Sequence, residues 1–177
     1  YTKLGYDIFI LDYRGFGKSE GKIESEQQMN NDVSAAYRYL LKRYPEIKTV
    51  VIGYSIGTGP AAYLASQDHP DALILQAPYY SLSELADAQV PLVPDFVKKY
   101  HFETYKRLPQ IKCPVYLFHG DADQLIALEN SVRLSKLLPK NGRFITLKGQ
   151  PHQGVNENPD YLAELAHILN QLNAKPL

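Results

Sequence analysis

One stretch limits the fold of this chain more than any other: Thr49-Val50-Val51-Ile52-Gly53-Tyr54-Ser55-Ile56-Gly57-Thr58-Gly59. Residues with strong strand preference run directly into Gly-x-Ser-x-Gly, and the helix-compatible run Pro60-Ala61-Ala62-Tyr63-Leu64-Ala65 follows. Strand, sharp turn and helix in that order place Ser55 at a strained backbone position, with its hydroxyl exposed at the end of a sheet. Gly53 and Gly57 are read as removing the side chains that would clash where strand and helix nearly touch. The helix start beyond Ser55 offers unpaired N–H groups and a positive dipole end to a developing oxyanion. Glycine and serine also gather in plain turns, so the bare motif equally describes a strand-to-helix turn in an ordinary α/β protein. The apolar runs on either side favour the catalytic reading.

The whole chain allows such a sheet. At 177 residues it has one-domain length, enough to bury roughly 70% of its unfolded surface. Lys+Arg and Asp+Glu both number 19, and no long basic run occurs, so nothing calls for a nucleic-acid partner. A neutral or amphiphilic small molecule, such as an acyl substrate, is the expected partner. The single cysteine, Cys113, excludes a disulfide within the chain and fits a reducing compartment. No apolar run reaches the length of a membrane span, and no signal peptide is visible. The chain opens on Tyr1 rather than Met.

Read in order, Tyr1 to Gly5 resemble a helix tail stopped by glycine. Asp7-Ile8-Phe9-Ile10-Leu11 is almost continuously apolar, as in a parallel strand covered on both faces. The glycines of Asp12-Tyr13-Arg14-Gly15-Phe16-Gly17-Lys18-Ser19-Glu20-Gly21 mark a tight loop at that strand's C-terminal end. Asp12 and Arg14 serve there either a ligand or the loop's own hydrogen bonds. Ser25 and Gln28 form a capping box. Met29, Val33, Ala36, Tyr37, Leu40, Leu41 and Tyr44 then recur at helical spacing up to Pro45. Further strands are expected at Thr49–Ile52, Asp71–Gln76, Val115–Phe118 and Arg143–Leu147, and a helix at about Glu129 to Leu138. Asn158 and Pro159 open a last helix whose face is Leu162, Leu165, Ala166, Leu169 and Leu172. The expected class is α/β: a mostly parallel sheet of five strands flanked by helices, in one domain over 1–177.

Between about 79 and 110 the periodicity breaks. Pro91, Pro94 and Pro109 punctuate an aromatic and aliphatic run that includes Tyr79, Tyr80, Val90, Leu92, Val93, Phe96, Val97, Tyr100, Phe102 and Tyr105. So long a connection is usually functional or carries its own short helices. It reads as a small helical cap over the site, or as an excursion packed on the sheet edge. Tyr79 and Tyr80 follow a strand end directly and are candidate substrate contacts.

Ser55, Asp123 and His152 each follow a strand, so all three gather at one rim, in the order Ser, Asp, His. A serine hydroxyl needs an imidazole to take its proton, and the imidazole needs a carboxylate to set its tautomer. His152 stands out among the five histidines because it sits in a short glycine-rich loop after the last strand. A locally bonded loop histidine is the alternative. Asp123 is preferred as the acid over Asp121, which reads as an Asx-turn residue. His119 reads as part of a structural turn. No metal-ligand set and no dinucleotide fingerprint appears, so no cofactor is expected.

In Asp12-to-Gly21, Gly53-Tyr54-Ser55-Ile56-Gly57 and His119-Gly120-Asp121-Ala122-Asp123 the chain resembles the alpha/beta-hydrolase superfamily, and it does so over essentially its whole length. Its closest look is to small serine hydrolases with short caps, of the lysophospholipase-like, monoacylglycerol-lipase-like and depalmitoylase-like branch. The resemblance implies Ser55 as nucleophile, Asp123 as acid, His152 as base and the Ile56 backbone N–H as one oxyanion donor. It implies cleavage of a carboxylic ester or thioester through an acyl-enzyme. A serine aminopeptidase-like peptidase and a catalytically silent binding domain are the other readings. The family sheet usually has eight strands, and one of them would lie between Asp7–Leu11 and Thr49–Ile52 with the second oxyanion donor. The chain therefore looks like the C-terminal portion of a longer domain, with weak activity alone. Membrane contact is expected only through a segment before Tyr1.

Overall fold

The computed structural model describes residues 1–89 and 100–174. The expected cap residues Val90, Leu92, Val93, Phe96 and Val97 lie outside the described residues. In chain order the main elements are α1 (Glu26–Arg43), β1 (Val50–Tyr54), α2 (Thr58–Asp68), β2 (Ala72–Gln76) and α3 (Leu82–Gln89). They continue with α4 (Thr104–Arg107), β3 (Val115–Gly120), α5 (Glu129–Ser135), β4 (Arg143–Leu147) and α6 (Pro159–Ala174). The strands form one parallel sheet in the order β1-β2-β3-β4, an α/β arrangement with helices on both faces.

Alternation along the strands divides the core in two. Ala72, Ile74, Tyr116, Phe118 and Leu147 point to the face covered by α6, where they meet Tyr161, Leu165, Ile168, Leu169 and Leu172. Leu73, Leu75, Val115 and Leu117 point the other way, to Ala61, Ala62 and Ala65 of α2 and Leu134 of α5. The period of two with both faces covered explains why β2 and β3 read as unbroken apolar runs and are wholly buried. The register pairs Tyr54 with Gln76, Gln76 with Phe118 and Gly120 with Leu147, so the C-terminal ends of β1, β3 and β4 share one rim.

The sheet has four strands among the described residues, not five. Asp7–Leu11 joins no ladder, and Ile8, Phe9, Ile10 and Leu11 are exposed, Ile10 by 80%. An apolar run states that a segment wants cover; it does not supply a neighbouring strand. Among the described residues β1 is an end strand of the sheet and pairs only with β2. The segment just before this run is anchored instead by Tyr6, whose hydroxyl lies 3.1 Å from the Leu169 carbonyl and 3.0 Å from Asn173 Oδ1 and shares its one hydrogen between these acceptors. An exposed apolar run and an unpaired strand edge each invite self-association. Ile10→Lys is expected to lower light scattering at fixed concentration while leaving the melting temperature in place. Unchanged scattering would show that the run is harmless.

The helix boundaries follow local chemistry. Gln28 N–H donates to Ser25 Oγ at 3.1 Å, half of the expected capping box. The reciprocal half shifts by one residue, since Gln28 Oε1 accepts from Glu24 N–H at 2.8 Å rather than from the cap itself. Asn158 Oδ1 caps α6 by accepting from Asp160 and Tyr161 N–H at 2.9 and 3.0 Å. The buried face of α6 is turned relative to the expected one. Tyr161 and Ile168 are inside and Leu162 is exposed, because the Tyr161 ring packs edge-on against Phe118.

Candidate active site

Ser55 starts the turn after β1 with φ of 51°, a left-handed conformation that costs an L-residue roughly 1–2 kcal/mol. The strand and α2 almost touch beneath it. A Cβ on Gly53 would stand 2.7 Å from the Ala61 Cβ and the Gly57 carbonyl oxygen, and 2.9 Å from Thr58 Cα. Backbone cannot yield there, so only glycine fits. Gly57 departs from the sequence reading: a Cβ there would meet nothing nearer than the Tyr13 hydroxyl, at an ordinary 3.5 Å. The turn is further held by Thr58, whose hydroxyl donates to the Ser55 carbonyl at 2.7 Å.

The loop after β4 brings His152 over this turn. Gln150 braces the loop, its amide donating to the Pro151 and Gln153 carbonyls at 2.9 and 2.6 Å. Tyr54, the residue before Ser55, donates its hydroxyl to the His152 carbonyl at 2.8 Å. Its ring lies 5.3 Å from the imidazole, centroid to centroid. His152 Nε2 is 3.0 Å from Ser55 Oγ, and its Nδ1 is 2.8 Å from Asp123 Oδ2. A carboxylate can only accept, so Nδ1 carries the proton and Nε2 is free to accept from the serine.

Asp123 sits in the loop after β3 with its side chain almost wholly buried. Its Oδ1 accepts from Leu125 and Ile126 N–H, both at 2.9 Å. The local Asx-type bonds are therefore Asp123's own. Asp121, expected to make them, instead reaches across to accept from Gly149 N–H at 2.6 Å and ties the loop after β3 to the loop after β4.

The two tyrosines named as substrate contacts have other occupations. Tyr79 is fully buried; its hydroxyl donates to the Ile56 carbonyl and accepts from Gly59 N–H, each at 3.1 Å. Burial pushes its phenol far above the usual tyrosine value. Tyr80 is stacked between Tyr105, at 4.5 Å, and the Arg133 guanidinium, at 3.6 Å. Neither makes a hydrogen bond or ring contact with Ser55 or His152. Ser55 itself is half-buried between the exposed side chains of Tyr54 and Ile56. A cleft of about 350 Å³ opens beside the loop after β3, lined by Glu84, Leu85, Gln124, Leu125, Asn130 and Arg133 among others, and its lining does not include Ser55. Its walls are mixed rather than apolar.

Arg14 of the first loop is paired with Asp32 on α1 at 2.5 Å, and Asp12 Oδ2 accepts from Lys18 N–H at 3.0 Å, so both serve the loop's own structure. Among the described residues no group of three or more His, Cys, Asp or Glu could hold a metal ion. No described helix is long and apolar enough to cross a membrane.

Sequence reasoning missed two contributors. Tyr54 occupies the variable position of Gly-x-Ser-x-Gly, where no pattern flags a bond to a loop 98 residues away. His119 was read as part of a turn. It is wholly buried, and burial lowers its pKa below the ordinary 6.5. Below about pH 6.5 the unfolded chain takes up a proton that the folded chain refuses. Stability is thus expected to be full above that value and to fall as pH drops toward 5. Melting temperatures across pH 5–8 check this, and His119→Gln should flatten the acid side of the curve.

A strained serine after a parallel strand, an imidazole over it and a buried carboxylate behind, all at one rim of an α/β sheet, define the alpha/beta-hydrolase class. The chain belongs to that superfamily: residues 2–102 match the family model described as serine aminopeptidase, S33. Among curated proteins it is similar to alpha/beta hydrolase domain-containing protein 17C of Xenopus tropicalis, 30% identical over 96% of this chain and 54% of that protein. It is also similar to alpha/beta hydrolase domain-containing protein aho-3 of Caenorhabditis elegans, 29% identical over 94% of this chain and 50% of that protein. The chain thus spans about half the length of these relatives. An esterase structure from Pyrococcus furiosus superposes with a TM-score of 0.73 at 23% identity, covering 96% of this chain and 70% of that one. That last likeness concerns the fold.

Proposed function

We propose that this hydrolase-fold chain acts as a serine hydrolase on carboxylic esters or thioesters of small or lipid-like acids. The observation that carries the reading is the continuous path from Ser55 Oγ through His152 to Asp123, at 3.0 and 2.8 Å, with the serine in the left-handed region. In this reading Ser55 Oγ attacks the acyl carbon as its proton passes to His152 Nε2. Asp123 stabilises the imidazolium. The Ile56 N–H, at the start of the turn leading into α2, faces the oxyanion. The tetrahedral intermediate collapses, His152 returns its proton to the leaving oxygen or sulfur, and water then attacks the acyl-serine by the same path in reverse. In this reading the described residues 79–89 and 100–110 take the part of a cap. Tyr79 is bonded to the backbone of Ile56 and Gly59 and shares a buried cluster with Phe102, Met29 of α1 and Ile126.

The description of the matching family as a serine aminopeptidase supports a second reading, in which the scissile bond is an amide at a free amino terminus. A panel of p-nitrophenyl esters, acyl thioesters and aminoacyl anilides separates the two. Turnover of esters and thioesters with anilides inert is expected. Preference for anilides would move the activity to the peptidase side, and inertness toward all three would leave a binding domain.

A further inference from the structure

The carboxylate of Asp123 touches a second imidazole that the triad does not use. His119 Nε2 lies 3.3 Å from Asp123 Oδ2, the same oxygen that accepts from His152, and 2.8 Å from the Ile126 carbonyl. Its Nδ1 lies 2.6 Å from Ser131 Oγ on α5. The ring is wholly buried at the end of β3. Both neighbours of Nε2 are acceptors, so Nε2 carries the proton, and Nδ1 takes the Ser131 hydroxyl as donor. Asp123 and Ile126 are the two ends of one tight loop, and Asp123 Oδ1 already accepts from Ile126 N–H. One N–H thus lies against both ends of the loop that presents the carboxylate. The titratable groups facing the ring are Asp123 and, beyond it, His152.

We propose that His119 is a positioning residue that holds Asp123 in the geometry in which it accepts from His152, with Ser131 setting its tautomer. This inference rests on the serine-hydrolase reading of Ser55, His152 and Asp123. Asp123 already accepts from His152 and from Leu125 and Ile126 N–H, so His119 acts by position: its N–H is bonded to the Ile126 carbonyl and lies against Oδ2, which fixes the loop and leaves the carboxylate one direction in which to face His152. Loosening the loop moves Asp123 away from the imidazole while leaving Ser55 and the Ile56 N–H in place. The effect therefore belongs in kcat and not in KM, and a misplacement of an ångström at a catalytic array costs on the order of 10²-fold.

The test compares wild type with His119→Phe, His119→Gln and Ser131→Ala, using p-nitrophenyl butyrate turnover and the rate of fluorophosphonate labelling, both normalised to folded protein by circular dichroism. His119→Phe keeps a ring but no donor and is expected to lose about 10²-fold in kcat with KM unchanged. His119→Gln returns an amide N–H near the Nε2 position and should recover most of it. Ser131→Ala should show a several-fold loss in the same direction, and it keeps the question open to measurement if the phenylalanine variant does not fold. The acid limb of the kcat/KM profile should move in His119→Phe and return in His119→Gln, which a purely structural role would not produce. If wild type labels at Ser55 while the folded His119 or Ser131 variants label at the wild-type rate, this inference fails and the triad reading stands. If wild type itself neither labels nor turns over the ester, both fail together.

Discussion

Ser55→Ala is expected to abolish fluorophosphonate labelling and to cut ester turnover by at least about 10³-fold. The size follows from what the hydroxyl does. In the proposed mechanism no acyl-enzyme forms without it, and what would remain is binding and the pull of the Ile56 N–H on the carbonyl, which in comparable systems leaves only a residual rate. The substitution should not harm folding. Ser55 is half-buried at φ of 51°, and alanine bears the same left-handed strain as serine. Its only side-chain bond among the described residues is to His152. Thermal melting of the variant within a few degrees of wild type, together with lost labelling, is the expected pair of results. Equal labelling of variant and wild type would place the reactive group elsewhere and remove the proposed mechanism.

Phe118→Ala carries the largest expected effect on stability. The side chain is fully buried in the middle of β3, with its ring 4.9 Å from that of Tyr161 at an interplanar angle of 81°. It fills the space between the sheet and α6 together with Ile74, Tyr116 and Leu165. Removing it leaves a cavity that close-packed neighbours fill only in part, and such changes cost about 3–5 kcal/mol. Against a typical total of about 5–15 kcal/mol, that is a large share. Urea unfolding should show a lower midpoint with the slope unchanged. A loss under about 1 kcal/mol would mean that α6 is not held to the sheet by this contact. The effect reaches the site as well, because Phe118 is followed directly by His119 and two residues further on by Asp121, whose carboxylate ties the loops after β3 and β4 together.

Much of this arrangement was legible in the chain. Val50 to Ile52, Ala72 to Gln76 and Val115 to Phe118 read as strands from their apolar runs, and β2 and β3 are wholly buried as such runs suggest, whereas the similar run at Asp7–Leu11 is exposed. The turn at Ser55 was legible because Gly53 answers a backbone clash that no other residue avoids. The Asn158 cap was legible because it is a local bond between neighbours in sequence. Chain order alone put Ser55, Asp123 and His152 after parallel strands, and hence at one rim.

The remainder depended on partners distant in sequence. Asp7–Leu11 has a strand's composition and no strand's partner, since a ladder is a property of two segments and composition reports only one. Whether Asp121 or Asp123 meets His152 turned on which carboxylate the loop rotates inward. The loop's own N–H bonds at Leu125 and Ile126 settle that for Asp123, while Gly149 takes Asp121. Tyr79 looked like a pocket residue because it is aromatic and follows a strand, yet its hydroxyl is occupied by the backbone of the turn. His119 looked like punctuation before a glycine, and only the packing of α5 against β3 brings Ser131 to one side of its ring and Asp123 to the other. Sequence by itself determined what depends on neighbours along the chain and on the cover of each face: strands, turn, cap and the order of the site residues. Tertiary structure decided which polar atoms face one another, because a hydrogen bond requires a separation near 3 Å and a direction, and these are set only when segments far apart in the chain have packed.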